Sequence, residues 1–160
     1  MRARKSWPGF VVVLLLLLVC PAAARAAVNC TVSTTSINFG TTYNVFSPTA
    51  TDSVATITYS CAGSPFPNEG VAIRITLSAG HSGNFLDRTF IGPDRFQYNL
   101  YQDPNRTLVW GDTISYDVDV VIAKSDRGTV FTRTVYGRVP ALQDVTSGSY
   151  SDTITVSVIY

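Results

Sequence analysis

A period of two is the feature that most limits what this chain can fold into. Successive side chains of an extended strand point to opposite faces, so alternating apolar and polar residues read as a half-buried strand. In VATITYSC, Ala55, Ile57, Tyr59 and Cys61 share one face. In VAIRITLSA, Val71, Ile73, Ile75, Leu77 and Ala79 oppose Arg74, Thr76 and Ser78. RFQYNLYQD alternates through Phe96, Tyr98 and Leu100, and SYDVDVVIA through Tyr116, Val118, Val120 and Ile122; TVFTRTVYGRV is strand-like but less regular. The first run, CTVSTTSINFG, changes parity midway. Cys30 and Val32 fall on one face, Ile37 and Phe39 on the other, as a bulge or a switch between sheets would produce. No long segment carries a helical period.

GSPFPNEG, AGHSGNFLDRTFIGPD, QDPNRT and SDRG separate these runs and have the composition of turns and loops. Short alternating strands at such spacing predict an antiparallel sandwich. The final run, DTITVSVIY, sets Ile154, Val156, Val158 and Tyr160 on one face. An immunoglobulin-like sandwich needs about seven strands, with the last two paired in the core. The expected fold class is therefore all-β: an incomplete immunoglobulin-like antiparallel β-sandwich lacking its final strand. The vacancy is expected to be an apolar groove lined by Ile57, Tyr59, Ile154, Val156, Val158 and Tyr160, an open edge that another chain would cover.

At the other end, Arg2, Arg4 and Lys5 precede an apolar run from Phe10 to Cys20, followed by small residues and the A-x-A site Ala24-Arg25-Ala26. That order predicts a secretory signal peptide over residues 1–26 and a mature domain over 27–160. The apolar run is short for a membrane span, and Val19-Cys20-Pro21 is a poor context for lipid attachment. Cleavage removes four of the twelve basic residues and none of the eleven acidic ones, leaving a mature charge of −3. Such a chain has no electrostatic basis for binding nucleic acid or an anionic membrane. Cys30 and Cys61 remain, and a lone pair in an exported chain reads as a disulfide. Closing a loop of about 30 residues stabilises a fold by roughly 3–4 kcal/mol in the chain-entropy model. Two sulfurs and one distant histidine do not make a zinc site.

Three spans, CTVSTTSINFGTTYN, QYNLYQDPNRTLVWGD and YGRVPALQDVTSGSYSDTITVSVIY, resemble the spore coat protein U domain, which is shared with subunits of the archaic chaperone–usher pili. The most specific pieces are YNLY followed by WGD, the run YGRVPALQ, and the terminal strand beginning GSYSDT; the resemblance extends from Cys30 to Tyr160. It implies an immunoglobulin-like fold without its last strand. It also implies three partners: a periplasmic chaperone that lends a strand, an outer-membrane usher, and a neighbouring pilus subunit whose N-terminal segment replaces the lent strand by β-strand addition.

Catalytic chemistry finds little support. GHSGN, residues 80–84, is a near miss to G-x-S-x-G, and a nucleophile elbow needs a strand-to-helix turn that is not predicted here. Asp117 and Asp119 share a strand face and read as solvated surface, although a calcium site or an acid–base pair would use the same spacing. Trp110 reads as a core anchor ahead of a ligand platform. No enzyme, metal or cofactor is expected. Phe46, Phe66 and Phe85 lie in loop-like sequence; clustered at one pole, they would form an apolar adhesive patch.

With cleavage after Ala26, only Ala27, Val28 and Asn29 precede Cys30, a reach of about 10 Å at roughly 3.3 Å per residue. That is too short to fill a groove several side chains long. The reading is an extracellular fimbrial subunit that accepts a strand without donating one, exported through the periplasm to the cell surface. At a fibre tip it would bind a surface or glycan receptor and serve adhesion or biofilm formation. The alternatives are a non-polymerised spore coat or envelope protein and a secreted carbohydrate-binding module.

Overall fold

The computed structural model describes residues 27–63 and 69–160. The expected leader over 1–26, Cys20 within it, and Phe66 lie outside the described residues. Eight strands form: β1 Asn29–Thr34, β2 Thr51–Ala62, β3 Val71–Leu77, β4 Arg88–Thr89, β5 Gln97–Tyr101, β6 Val118–Ile122, β7 Phe131–Val139 and β8 Val156–Ile159. All pairings are antiparallel, in one sheet of order β1-β2-β7-β5-β4 and a second of order β6-β3-β8. The architecture is an immunoglobulin-like sandwich. Two single turns of 3₁₀ helix, Gly80–Ser82 and Lys124–Asp126, are the only helical pieces among the described residues.

The alternating faces meet between the sheets. Ile57, Tyr59, Cys61, Val135, Val139, Tyr98 and Leu100 come from the larger sheet, and Val71, Ile73, Ile75, Leu77 and Ile122 from the smaller. Trp110 closes the layer from a loop: its indole Nε1 donates to Ile75 O at 3.0 Å, so the one polar atom of a fully buried ring is satisfied. Cys30 and Cys61 sit opposite each other in the β1–β2 register and are joined by a disulfide.

The parity change in the first run has a structural cause. The β1–β2 ladder ends at Thr34. Thr35 then holds Thr56 twice, its N donating to Thr56 O and its Oγ1 accepting from Thr56 N. Beyond that point Ile37 and Phe39 turn inward onto Gly137 of β7, where a Cβ would collide with both side chains. A glycine here is what lets the continuation of β1 lie close against the sheet.

Three places depart from the sequence reading. The last run forms a ladder only over Val156–Ile159; Ser78 N donates to Thr155 O just before β8 begins. Asp117 is not solvated: its side chain is 6% exposed and pairs with Arg74 at 2.7 Å, and Asp119 meets the same Arg74 at 3.4 Å. The segment AGHSGNFLDRTFIGPD is not all loop, because it contains β4 and the fully buried Arg88. The Arg88 guanidinium donates to Ser78 O, Leu77 O, Phe85 O, Trp110 O and Asn99 Oδ1 at 2.7 to 3.3 Å. Burial pushes it down to about 10, so it remains a cation at neutral pH.

Candidate functional site

β1 and β8 each lie at the edge of a sheet, and each is paired on one side only: β1 with β2, β8 with β3. An extended strand carries backbone donors and acceptors on both sides, so each of these two edges has a row left to pair. A groove runs between the residues that follow β1 and those that lead into β8. Its narrow half, about 330 Å³, has Thr34–Ile37 on one wall and Asp152–Ile154 with Val156 on the other. Its floor is Ala55, Ile57, Leu77, Leu100 and Val135, from both sheets. Ile37, Asp152 and Ile154 also border a wider half of about 570 Å³ that continues between residues 38–45 and 145–151. Phe39, Phe90, Phe96, Tyr98 and Tyr150 line that half, with ring centroids 4.3 to 6.1 Å apart.

Asp152 stands where the halves meet. Its Oδ2 accepts from Tyr98 OH at 2.7 Å, and its Oδ1 accepts from the backbone N of His81 and of Thr153 at 2.9 and 2.7 Å. Burial, then the hydrogen bond to this carboxylate, drives the Tyr98 phenol well above its ordinary range, so it stays protonated as the donor. Gly80 makes room for the carboxylate. Its φ of 68° is in the left-handed region, and a Cβ there would strike Asp152 Oδ2. GHSGN is therefore the 3₁₀ turn that receives Asp152. Its Ser82 hydroxyl has Asn84 O at 3.0 Å and Ala79 O at 3.2 Å as acceptors for its one hydrogen and accepts from Asn84 N, so it is used locally.

Of the residues expected to line a groove, Ile57, Ile154 and Val156 do so. Tyr59 is buried elsewhere, stacked on Phe131 at 5.8 Å. Val158 is half-buried opposite Ile75 in the ladder, and Tyr160 is exposed beyond the end of β8. The groove thus lies further towards residues 145–154 than the periodicity of the last run indicated. Ile37 and Phe39 were legible as an inward face of the first run, and Phe96 and Tyr98 as one face of a strand; that they meet Phe90, Tyr150 and Asp152 had no signal in spacing, because six separate segments converge there. Phe46 is 85% exposed, whereas Phe85 is half-buried against Gly111 and the Tyr116 ring, 5.0 Å away.

Comparison with known proteins places this geometry. The family model for the Spore Coat Protein U domain matches residues 17–157. The chain belongs to the spore coat protein U domain family. A relative within reach of sequence comparison, Protein U of Myxococcus xanthus, is 32% identical over 73 residues, 46% of this chain and 38% of that protein. The spore coat U fold seen here also matches a chain in the crystal structure of the CsuC–CsuE chaperone–tip adhesion subunit pre-assembly complex from archaic chaperone–usher Csu pili of Acinetobacter baumannii. The TM-score is 0.52 at 16% identity, over 84% of this chain and 40% of that one. In both comparisons the matched region spans less than half the length of the other protein.

Proposed function

We propose that this spore coat U domain is a subunit of an extracellular fibre whose groove accepts a β-strand from another polypeptide. The observation that carries the reading is the groove itself: an apolar floor between the continuation of β1 and the segment that leads into β8, both of which are edge strands paired on one side only. A strand laid there would pair its backbone with β1 and β8 and cover Ile57, Ile154 and Val156 with alternate side chains. The likeness in fold to a chain of a chaperone–pilus subunit complex supports the same reading. In it, a periplasmic chaperone supplies the strand during export, an outer-membrane usher brings the next subunit, and that subunit's segment takes the groove. The role is structural, with no catalysis.

The expected leader over 1–26 directs the chain to the periplasm and on to a surface fibre. With cleavage after Ala26, Ala27–Asn29 precede Cys30, too short to fill a groove of this length, so in this reading the subunit accepts without donating and sits at a fibre tip or outside the fibre. Adhesion through exposed apolar loop residues such as Phe46 fits a tip position. Joining a strand of alternating apolar residues to the chain through a flexible linker tests the core of this reading. The melting temperature should rise by about 10 °C or more, since each filled position is worth on the order of 1.5–3 kcal/mol. A chain that melts at the same temperature with and without the strand would overturn it. Immunogold labels confined to fibre ends would support the tip assignment; labels along the shaft would remove it.

A further inference from the structure

The two halves of the groove differ in shape and chemistry, and that difference constrains what can lie in it. The narrow half is floored by aliphatic and small side chains, Ala55, Ile57, Leu77, Leu100 and Val135. The wide half is walled by six aromatic rings, those of Phe39, Tyr43, Phe90, Phe96, Tyr98 and Tyr150, and has nearly twice the volume, about 570 against about 330 Å³. Between them stands Asp152, the only charged residue lining either half among the described residues. Its two oxygens hold three donors, and a carboxylate has about four acceptor sites, so one more donor can be taken.

Apolar side chains gain from burial in proportion to area, and voids or overpacking both cost stability. A medium aliphatic residue therefore fits the narrow half but leaves the wide half underfilled. An aromatic ring gains edge-to-face partners in the wide half that the aliphatic floor of the narrow half does not offer. A donor carboxylate opposite Asp152 would set two like charges together in a partly desolvated groove, whereas a lysine or arginine there would be attracted.

Resting on the strand-acceptor reading above, we propose that the groove selects its donor by pattern. The favoured donor carries aliphatic side chains over the Ile57–Leu77 half, an aromatic side chain over the Phe90–Tyr150 half, and a basic or neutral residue, never an acid, at the Asp152 junction. The occupant is thus an extended segment of another subunit with small-to-medium apolar residues at one end and an aromatic residue at the other.

The test joins donors to Tyr160 through a short Asn-Gly turn. β8 runs away from the wide half, so such a donor re-enters at the narrow end and its direction is fixed. Four donors are compared: aliphatic throughout; aromatic at the wide end; aromatic at the narrow end; and aromatic at the wide end with glutamate instead of lysine at the junction. The second should melt about 5 °C or more above the first and third, and the fourth should fall below the second. Asp152→Asn should abolish the difference between lysine and glutamate donors. Equal melting of the first three donors overturns the size rule, and equal melting of the lysine and glutamate donors overturns the charge rule, while strand acceptance stands in either case. If no donor raises the melting temperature, strand acceptance falls and the pattern rule with it.

Discussion

Two regions of the same sandwich treat their surroundings in opposite ways. Around Arg88 the protein is closed: a fully buried cation has its donors on four backbone carbonyls and Asn99 Oδ1, and Trp110 Nε1 is satisfied beside it. Between the continuation of β1 and the approach to β8 it is open: Ile37, Ile154 and Val156 are only half-buried and line a cleft, and both strands lie at sheet edges. The regions touch. Ser78 accepts two hydrogen bonds from Arg88 through its carbonyl, while its N and Oγ pair with Thr155 where the β8 wall begins. The difference teaches that an open groove needs a rigid base. The closed side supplies order that the open side, with its side chains half-buried, cannot generate for itself.

The sharpest way to break this contrast is to open the closed side. Arg88→Met should cost about 4 kcal/mol, because it strands several buried carbonyls that charged donors had satisfied. Urea denaturation of the strand-complemented chain measures it, and a loss below about 1 kcal/mol would show that the guanidinium is not holding the base. Next in size is the disulfide. Cys30→Ser with Cys61→Ser should cost roughly 3–4 kcal/mol, and should lower strand uptake, since the bond anchors β1 just ahead of the groove wall. Alkylation before and after reduction, with mass analysis, reports the bond directly.

A third change distinguishes the regions more finely. Ile154→Ala should cost under about 1 kcal/mol in the free chain, where the side chain is half-exposed, and about 2 kcal/mol once a strand covers it. Equal costs in both states would mean that Ile154 does not face the occupant. The smallest effect lies on the outer face of the large sheet, where Asp52 pairs with Arg138 at 2.7 Å and Arg106 at 3.2 Å. The hydrogen bond from Arg138, then the nearby guanidinium charges, hold its carboxyl below the ordinary range. A depressed carboxyl stabilises the fold above its unfolded-state value and loses that contribution as pH falls through the folded one. Asp52→Asn should therefore flatten the acid limb of the stability profile below about pH 4, by under about 1 kcal/mol because the site is exposed.

Alternation along the chain determined the strands. Ala55, Ile57, Tyr59 and Cys61, or Val71 through Leu77, could only face a core at every second residue, and the structure buries them. The lone cysteine pair and the parity change after Val32 were equally local facts, each legible without knowing what lay across the sheet. Tertiary structure alone decided the rest. Arg88 and Asp152 sit in segments whose composition reads as loop or polar strand face, and nothing in their neighbours' sequence reveals that carbonyls from Leu77, Phe85 and Trp110, or donors from His81 and Tyr98, converge on them. The shape of the groove was hidden for the same reason. A period of two states which face a side chain takes, but a cleft is the space between faces, and its width depends on residues up to about a hundred positions apart, such as Phe39 and Tyr150.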